Sequence, residues 1–451
     1  MRIGRSNFEH VRQVVLDWGL PILFFLLPWQ TRWIFGFELI GGQIFEYGIL
    51  SLYATEALLL ILALIQLPSL VARGRAILKN GTGITEILWP THIGVGMAVR
   101  TLAVLFVAGL SVFVAISKAV ALVQLMHLGF TMLLFVMLLD RRVDIKKVMI
   151  GFSAGLVLPA LLGAYQFIVG ESAASTFLGL ASREAARLGE SVIELGAARV
   201  LRAYGSFSHP NILGGYLAVS IVGIIGLWKY LKTTREKWTL SVVGFICAIG
   251  LVLTYSRSAW IGLAFGLILG GLILINKNTA QIRKLLVPVT IIVIGFALTL
   301  SIVAPFVATR LSVESLLEQR SVSERIEQYN EFPSVIGSRW LFGLGIGNYA
   351  LLIENAYPGR EWWEYQPVHN VVLLIIGEIG LVGLIVILWW VMSIDRINFK
   401  RLPDPDAVTA FMVSNVVIVV LFFDHYIWST WSGLALIAYV MALTVRLGEA
   451  E

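Results

Sequence analysis

A single cysteine, Cys247, stands in 451 residues, inside an apolar run. Disulfides and thiolate-held metals within one chain are therefore excluded. Histidine is also scarce, with six residues, and no two of them stand four apart, so the spacing that places two imidazoles on one helix face for a metal is missing. Charged residues make up only 14% of the chain, against 58% hydrophobic, and the mean hydropathy is +0.85. A soluble globular protein is excluded on that composition. Internal repeats, low-complexity tracts and a separable soluble domain are likewise missing. So are the alternating ten-residue segments of a membrane barrel. The first apolar run, 13–30, carries Asp17 and Pro21 and ends in Pro28-Trp29-Gln30 with no small-residue cleavage site. It is read as a retained helix and not as a signal peptide.

What the chain does contain is a series of apolar runs, each long enough to cross a hydrocarbon core of about 30 Å as a helix. The expected fold is all-α and polytopic, one membrane domain over 1–451. About twelve spans are predicted: 13–30, 44–71, 93–115, 118–139, 148–170, 211–230, 239–255, 258–275, 286–307, 369–394, 408–427 and 429–445. Arg2, Arg5 and Arg12 precede the first. Basic clusters follow the even-numbered spans: Arg73/Arg75/Lys79, Arg141/Arg142/Lys146/Lys147, Lys229/Lys232/Arg235/Lys237, Lys277/Arg283/Lys284 and Arg396/Lys400/Arg401. The positive-inside rule then puts both termini in the cytoplasm. Lysines gather on that inner side, whereas the basic residues of the outer side are mainly arginines.

Two outer connections, 171–210 and the large loop 308–368, are long enough to hold structure of their own, and short helices are expected there. Ser315-Leu-Leu-Glu318 and Ser321-Val-Ser-Glu324 both fit a capping box. The unusual polar residues also gather on the outer side. Arg202, His209 and Asn211 lie at the mouth of the sixth span, Ser256 and Arg257 in the turn between the seventh and eighth, and His369 and Asn370 at the start of the tenth. Their common depth points to one site. Arg257, held between two spans with almost no loop, suits bidentate binding of phosphate oxygens; a snorkelling interfacial anchor is the competing reading. For Arg202 the competitor is an ion pair with a loop carboxylate such as Glu190 or Glu194.

His369 opens a helix and shares a face with Leu373, Gly377 and Gly380 at offsets of 4, 8 and 11. An imidazole there can take a proton from a hydroxyl nucleophile, or be a helix-end residue satisfied by a carbonyl. Glu378, about 13 Å deeper, is read as a buried carboxylate needing a partner of its own. His209 beside Pro210, with Asn211, serves equally as a helix start or a binding residue. Gly343-Leu-Gly-Ile-Gly347 follows no strand and is read as a tight loop, not a dinucleotide site. Asp424 and His425, near Trp428 and Trp431, are read as part of an interfacial belt. No Asp-x-Asp stands on an outer loop, since Asp404-Pro-Asp406 is on the inner side; no metal, cofactor or nucleic acid is expected.

Four stretches, "RAYGSFSHPNILGGYL", "LTYSRSAWIGL", "ERIEQYNEFPSVIGSRWLFGLGIGNY" and "HNVVLLIIGEIGLVG", resemble in order the signatures of the O-antigen ligase and polymerase superfamily, over about residues 200–390. The resemblance implies a GT-C-type helical fold in the bacterial cytoplasmic membrane. It also implies a metal-independent glycosyltransferase moving a glycan from an undecaprenyl-diphosphate carrier to an acceptor hydroxyl on the outer side. On the matching motif positions His369 would be catalytic, with Arg202 and Arg257 as diphosphate contacts and Arg325 and Arg339 of the large loop as further donor contacts. His209, Asn211, Ser256 and Asn370 would complete the lining. The acceptor is lipid A–core for a ligase, another lipid-linked unit for a polymerase, or a protein hydroxyl for an oligosaccharyltransferase; the ligase is preferred. From another class, a flippase of lipid-linked sugars fits the hydropathy, with Arg100 and Glu378 as its only features. The sequence leaves the oligomeric state open.

Overall fold

The computed structural model describes residues 3–79, 95–196, 198–277, 279–312 and 315–449; Arg2 and residues 93–94 of the third predicted span lie outside them. The protein is a helical, polytopic membrane protein. Among the described residues ten helical segments are long and apolar enough to cross a bilayer, and two shorter apolar helices, Asp17–Leu26 and Ala54–Leu67, account for the first two predicted spans.

The chain runs α1 (Ile3–Leu26), a hairpin of β1 (Arg32–Ile40) and β2 (Gln43–Tyr53), and then α2 (Ala54–Lys79), α3 (Val95–Ser111) and α4 (Lys118–Leu139). The next span is broken at Leu156 into α5 (Ile145–Gly155) and α6 (Val157–Val169). After a connection that carries four short strands come α7 (Pro210–Leu227), α8 (Thr234–Leu253), α9 (Arg257–Lys277) and α10 (Thr279–Ile302). The large loop holds α11 (Ala304–Ser312), α12 (Leu316–Ile336) and α13 (Tyr349–Ala356), and α14 (Val371–Phe399), α15 (Pro405–Phe423), α16 (Tyr426–Ser429) and α17 (Trp431–Gly448) complete the bundle.

Two expectations are corrected. Residues 44–53, predicted as the start of the second span, form a strand, because Gly41 and Gly42 both take positive φ, 55° and 78°. That is the geometry of a two-residue hairpin turn with the right-handed twist of the flanking strands. In the first outer connection the expected short helices are replaced by two small antiparallel pairs, β3 (Glu171–Ser172) with β4 (Arg183–Glu184) and β5 (Val192–Leu195) with β6 (Ala198–Leu201). The large loop is helical as expected, though α12 runs 21 residues. It is capped by Ser315, whose side chain accepts from the Glu318 amide, while Ser321-Val-Ser-Glu324 falls inside the helix.

α7 is buried almost throughout and packs against α5, α8, α9 and α15. Small residues set the close crossings. A Cβ on Gly262 or Gly266 of α9 would lie 2.9 and 2.7 Å from carbonyl oxygens of Val416 and Met412 on α15, the small-xxx-small spacing that lets spanning helices touch backbone to backbone. Gly151 and Gly155 meet the carbonyls of Pro21 and Phe25 on α1 in the same way.

α14 is not continuous. Gly380 has φ 76° and ψ 175°, a conformation open essentially to glycine alone, so the predicted face that joined His369 to Gly380 through a regular helix holds only to Gly377. Residues 340–345 fill the break. Leu381 N donates to Trp340 O (2.9 Å) and Val382 N to Leu341 O (3.2 Å), while Gly345 N donates to Glu378 O (2.9 Å). Amides and carbonyls freed by the kink thus find protein partners, which irregular backbone at membrane depth requires. The Gly343–Gly347 run is a loop, as expected, and inserts here. Gly380→Ala is expected to destabilise the protein by at least about 2 kcal/mol, from the forbidden backbone geometry and the overlap with the Leu341 carbonyl. Gly271→Ala, with open space around it, is the control; thermal unfolding in detergent compares them, and equal melting of the two variants would contradict this account of the kink.

Candidate functional site

The polar residues of the connections 171–210 and 308–368 converge at one end of the bundle. The hairpin, the first outer connection and the large loop are tied together there by Thr31 Oγ1 to Phe177 O (2.6 Å), Gly41 N to Glu354 Oε1 (2.8 Å) and Ser206 Oγ to Pro28 O (2.6 Å).

At the mouth of α7, Arg202 is buried with its fork engaged: Nε donates to Thr254 O at 2.8 Å and Nη2 to Asn211 Oδ1 at 2.6 Å. Neither Glu190 nor Glu194 is its partner; those pair with Arg183 and Arg199. Asn211 passes the contact on, donating through Nδ2 to Asp424 Oδ2 at 2.6 Å. His209 caps α7: its Nδ1 accepts from Asn211 N (3.1 Å), and its Nε2 meets Ser191 Oγ (3.0 Å). Both nitrogens are committed to holding the helix start.

Asp424, at the C-terminal end of α15, is buried. Burial alone raises a carboxyl pKa, but His425, His369 and His209 together with the Asn211 amide outweigh that and hold Asp424 below its usual range. The three imidazoles are in turn pushed below the ordinary histidine value, chiefly by burial. His369 and His425 stand edge to face, ring centres 5.0 Å apart. Asp424 and His425 are thus part of the cluster, not an interfacial belt. The sequence signal for them was their position at a helix end level with the other polar residues.

His369 lies one residue before the α14 N-cap. Asn370 is that cap, its Oδ1 accepting from Leu373 N (3.1 Å). Gln328 of α12 reaches His369 with one oxygen, which accepts from the His369 backbone N–H (3.1 Å) and faces its Nδ1 (2.9 Å). A backbone N–H can only donate, so the amide must present its oxygen, and Nδ1 must therefore carry the proton. Nε2 is left unprotonated, with no protein partner among the described residues. Gln328 was missed from the sequence because nothing local distinguishes it from other polar residues of α12.

A second cluster adjoins. Arg257 opens α9, reaching Glu318 Oε2 of α12 at 3.5 Å through Nη2 and Arg310 O at 3.3 Å through Nη1. Arg310, on α11, pairs tightly with the same carboxylate, and its Nε donates to Tyr255 O (3.3 Å). Arg310 and Glu318 were not singled out in the sequence. Ser256 is buried beside Ser258, 3.3 Å between hydroxyls. Tyr255, between the helices, takes φ 49°, a left-handed conformation that costs a non-glycine residue energy. Arg325 of α12 is half-buried, with its Nε lacking a hydrogen-bond partner, and its charge bears on Arg257 as well as on His369 and His425. Arg339 is exposed, in the turn before the inserted loop. Four guanidiniums, Arg202, Arg257, Arg310 and Arg325, therefore face two buried carboxylates, Glu318 and Asp424. Arg202, Arg257 and His369 do not touch one another; Asn211–Asp424, the 254–255 turn and Arg325 link them.

Glu378 does have its own partners, Trp428 Nε1 at 2.8 Å and the amides of Gly347 and Tyr349, and it fastens the inserted loop to α14. Arg100 stacks on Trp389, 4.8 Å from the ring centre.

Residues 242–388 match the model of the O-antigen ligase family. The match indicates a glycosyltransferase of the ligase and polymerase type, the superfamily the sequence resembles. It runs from α8 into α14 and includes Ser256, Arg257, Arg310, Glu318, Arg325, Gln328, Arg339, His369 and Asn370. Arg202, His209, Asn211, Asp424 and His425 fall outside the matched segment, although the fold joins them to it. No curated protein matches the chain.

The tautomer at His369 is directly measurable. In protein labelled with ¹⁵N-histidine, His369 is expected to carry its proton on Nδ1 and to remain neutral at about pH 6, below the ordinary histidine value. Gln328→Leu should mix the two neutral forms. A doubly protonated His369 at that pH would contradict the assignment.

Proposed function

We propose that the protein transfers a glycan from an undecaprenyl-diphosphate carrier to an acceptor hydroxyl on the outer side of the bacterial cytoplasmic membrane, as an O-antigen ligase with lipid A–core as acceptor. The observation that carries this reading is an excess of guanidinium charge over carboxylate, buried at Arg202 and Arg310 and half-buried at Arg257 and Arg325, near an imidazole whose Nε2 is free to take a proton. A diphosphate at headgroup depth matches the first, and a hydroxyl nucleophile matches the second. The polyprenyl tail needs lipid, and a polytopic bundle stands in it. The basic clusters after the even-numbered spans support cytoplasmic termini, with the site on the opposite face.

In the proposed reaction the acceptor oxygen attacks the anomeric carbon as its proton passes to His369 Nε2. The bond from that carbon to the diphosphate oxygen breaks, and its electron pair leaves with undecaprenyl diphosphate; one displacement gives inversion. Arg257, Arg310 and Arg325 offset the charge growing on the leaving group, an effect worth several kcal/mol in a site poor in water. Glu318 is shared by Arg257 and Arg310 and balances only one of the two charges, so a diphosphate binding there would meet the positive charge left over. Arg202, whose fork already holds Thr254 O and Asn211, acts at the rim by bracing the 254–257 turn.

The test is release of undecaprenyl diphosphate by purified protein supplied with an undecaprenyl-diphosphate-linked glycan and, in separate reactions, lipid A–core, a second lipid-linked unit or a protein acceptor. His369→Ala is expected to lower transfer by at least about 10²-fold while insertion and folding persist; transfer at the wild-type rate would remove the base. Arg257→Lys should cost about tenfold or more despite the retained charge, because the planar fork is lost; an unchanged KM and kcat would assign Arg257 to anchoring. Chain growth on lipid-linked units alone would indicate a polymerase, and movement of the glycan across a bilayer without bond cleavage a flippase.

A further inference from the structure

Behind His425 lies a polar constellation that the proposed reaction does not use. Glu56, at the start of α2, is fully buried and bonds His127 of α4, Glu56 Oε1 to His127 Nδ1 at 2.5 Å. The second oxygen of the carboxylate accepts from Tyr53 N at 2.8 Å. His127 Nδ1 faces a carboxylate oxygen and so carries the proton. Its Nε2 has no protein partner among the described residues. The ring lines a cavity of about 40 Å³ between the hairpin, α4 and the start of α17, room for on the order of three waters. A buried carboxylate and imidazole at the end of spanning helices are costly unless they serve a purpose.

The cavity leads to the site. Tyr47 and Ser429 are also in its wall, and both hold His425: Ser429 Oγ stands 2.8 Å from Nδ1 and Tyr47 Oη 3.4 Å from Nε2. Ser429 Oγ donates its own proton to His425 O (3.2 Å), so His425 Nδ1 is the donor of that pair and Nε2 accepts from Tyr47. His425 then faces His369 at 5.0 Å. The cavity wall also includes Glu46, which is exposed. Groups able to give and take protons therefore line the way from His425 to the surface, and the His369 ring stands edge to face against the head of that file, with no direct hydrogen bond between the two imidazoles.

We propose that the Glu56–His127 pair and its cavity receive the proton taken up at His369, passed on through His425, Tyr47 and Ser429. The inference rests on the glycosyl-transfer reading. Atoms balance simply: the acceptor hydroxyl proton moves to His369 Nε2, then across a bridging water to His425, then through cavity water to His127 Nε2, and leaves past Glu46 to solvent. No co-reactant is needed. His369 is returned to its neutral form for the next transfer. Glu56 acts only by orienting His127, and both are positioning and relay residues, not groups that touch substrate.

The experiment measures transfer by the full-length protein in detergent, with an undecaprenyl-diphosphate-linked glycan and whichever of the three acceptors supports turnover, in water and in D₂O. Glu56→Gln and His127→Gln, which keep the size of the pair, are expected to lower kcat about tenfold with the donor KM unchanged, part of the 10²–10⁴ typical of a whole acid–base device. The rate should then be restored in part by added imidazole as a mobile proton carrier, and the solvent isotope effect on kcat should rise. Ser429→Ala, in the cavity wall and free of the buried pair, tests the same path if the inner variants fold poorly. Full activity in all three variants, or a loss of kcat that neither imidazole nor D₂O affects, would overturn the relay. Failure of the wild-type protein to release undecaprenyl diphosphate with any acceptor is a separate result, which removes the transfer reading and the relay with it.

Discussion

A carboxylate buried where a membrane helix ends has to be given hydrogen-bond partners within a few ångströms, and the end of the bundle at the start of α7 is arranged around that requirement at Asp424. Asn211 brings the start of α7 to it, and Arg202 brings the 254–257 turn to Asn211. The imidazoles of His209, His369 and His425 surround it. Each partner comes from a different part of the chain, so one negative charge fixes the relative position of α7, α14, α15 and the turn that begins α9. In water such a cluster would be held weakly; in a buried, low-dielectric site each contact is strong and each omission costly.

The second constraint is backbone satisfaction. α14 breaks at Gly380, and a polar break at that depth persists only because residues 340–345 supply its missing partners. The same insertion brings Gly347 and Tyr349 to Glu378, so a carboxylate that suggests transport in the sequence serves instead to fasten a loop. Because that loop follows α12 directly, the insertion also holds in place the helix that carries Glu318, Arg325 and Gln328. Packing far from the polar cluster thereby determines where three of its groups stand.

The arginine-rich cluster and the histidine cluster differ in how fully their groups are paired. Asp424 is saturated with partners, whereas Glu318 is shared by two arginines, and both its Oε2 and Arg257 Nη2 lack hydrogen bonds. Unequal pairing of this kind leaves positive charge available in one half of the site and a neutral imidazole in the other. An anionic leaving group and a hydroxyl nucleophile ask for that combination.

Much of this was legible in the chain. Long apolar runs must be helices in lipid because no other open structure satisfies its own backbone, so the helical class and most spans followed from hydropathy alone. The polar residues at the mouths of spans were equally readable, since their depth is set by position within a span. The β-hairpin was written in the Gly41-Gly42 pair, but the apolar character of 44–53 hid it inside a longer run. What sequence did not decide is which polar groups meet. Asp424 and His425 lie more than two hundred residues from Asn211, and Gln328 is one of many polar side chains on α12. Their roles arise from three-dimensional pairing, in which a buried charge or an unprotonated nitrogen is defined by the atom opposite it, and that atom is supplied by another helix.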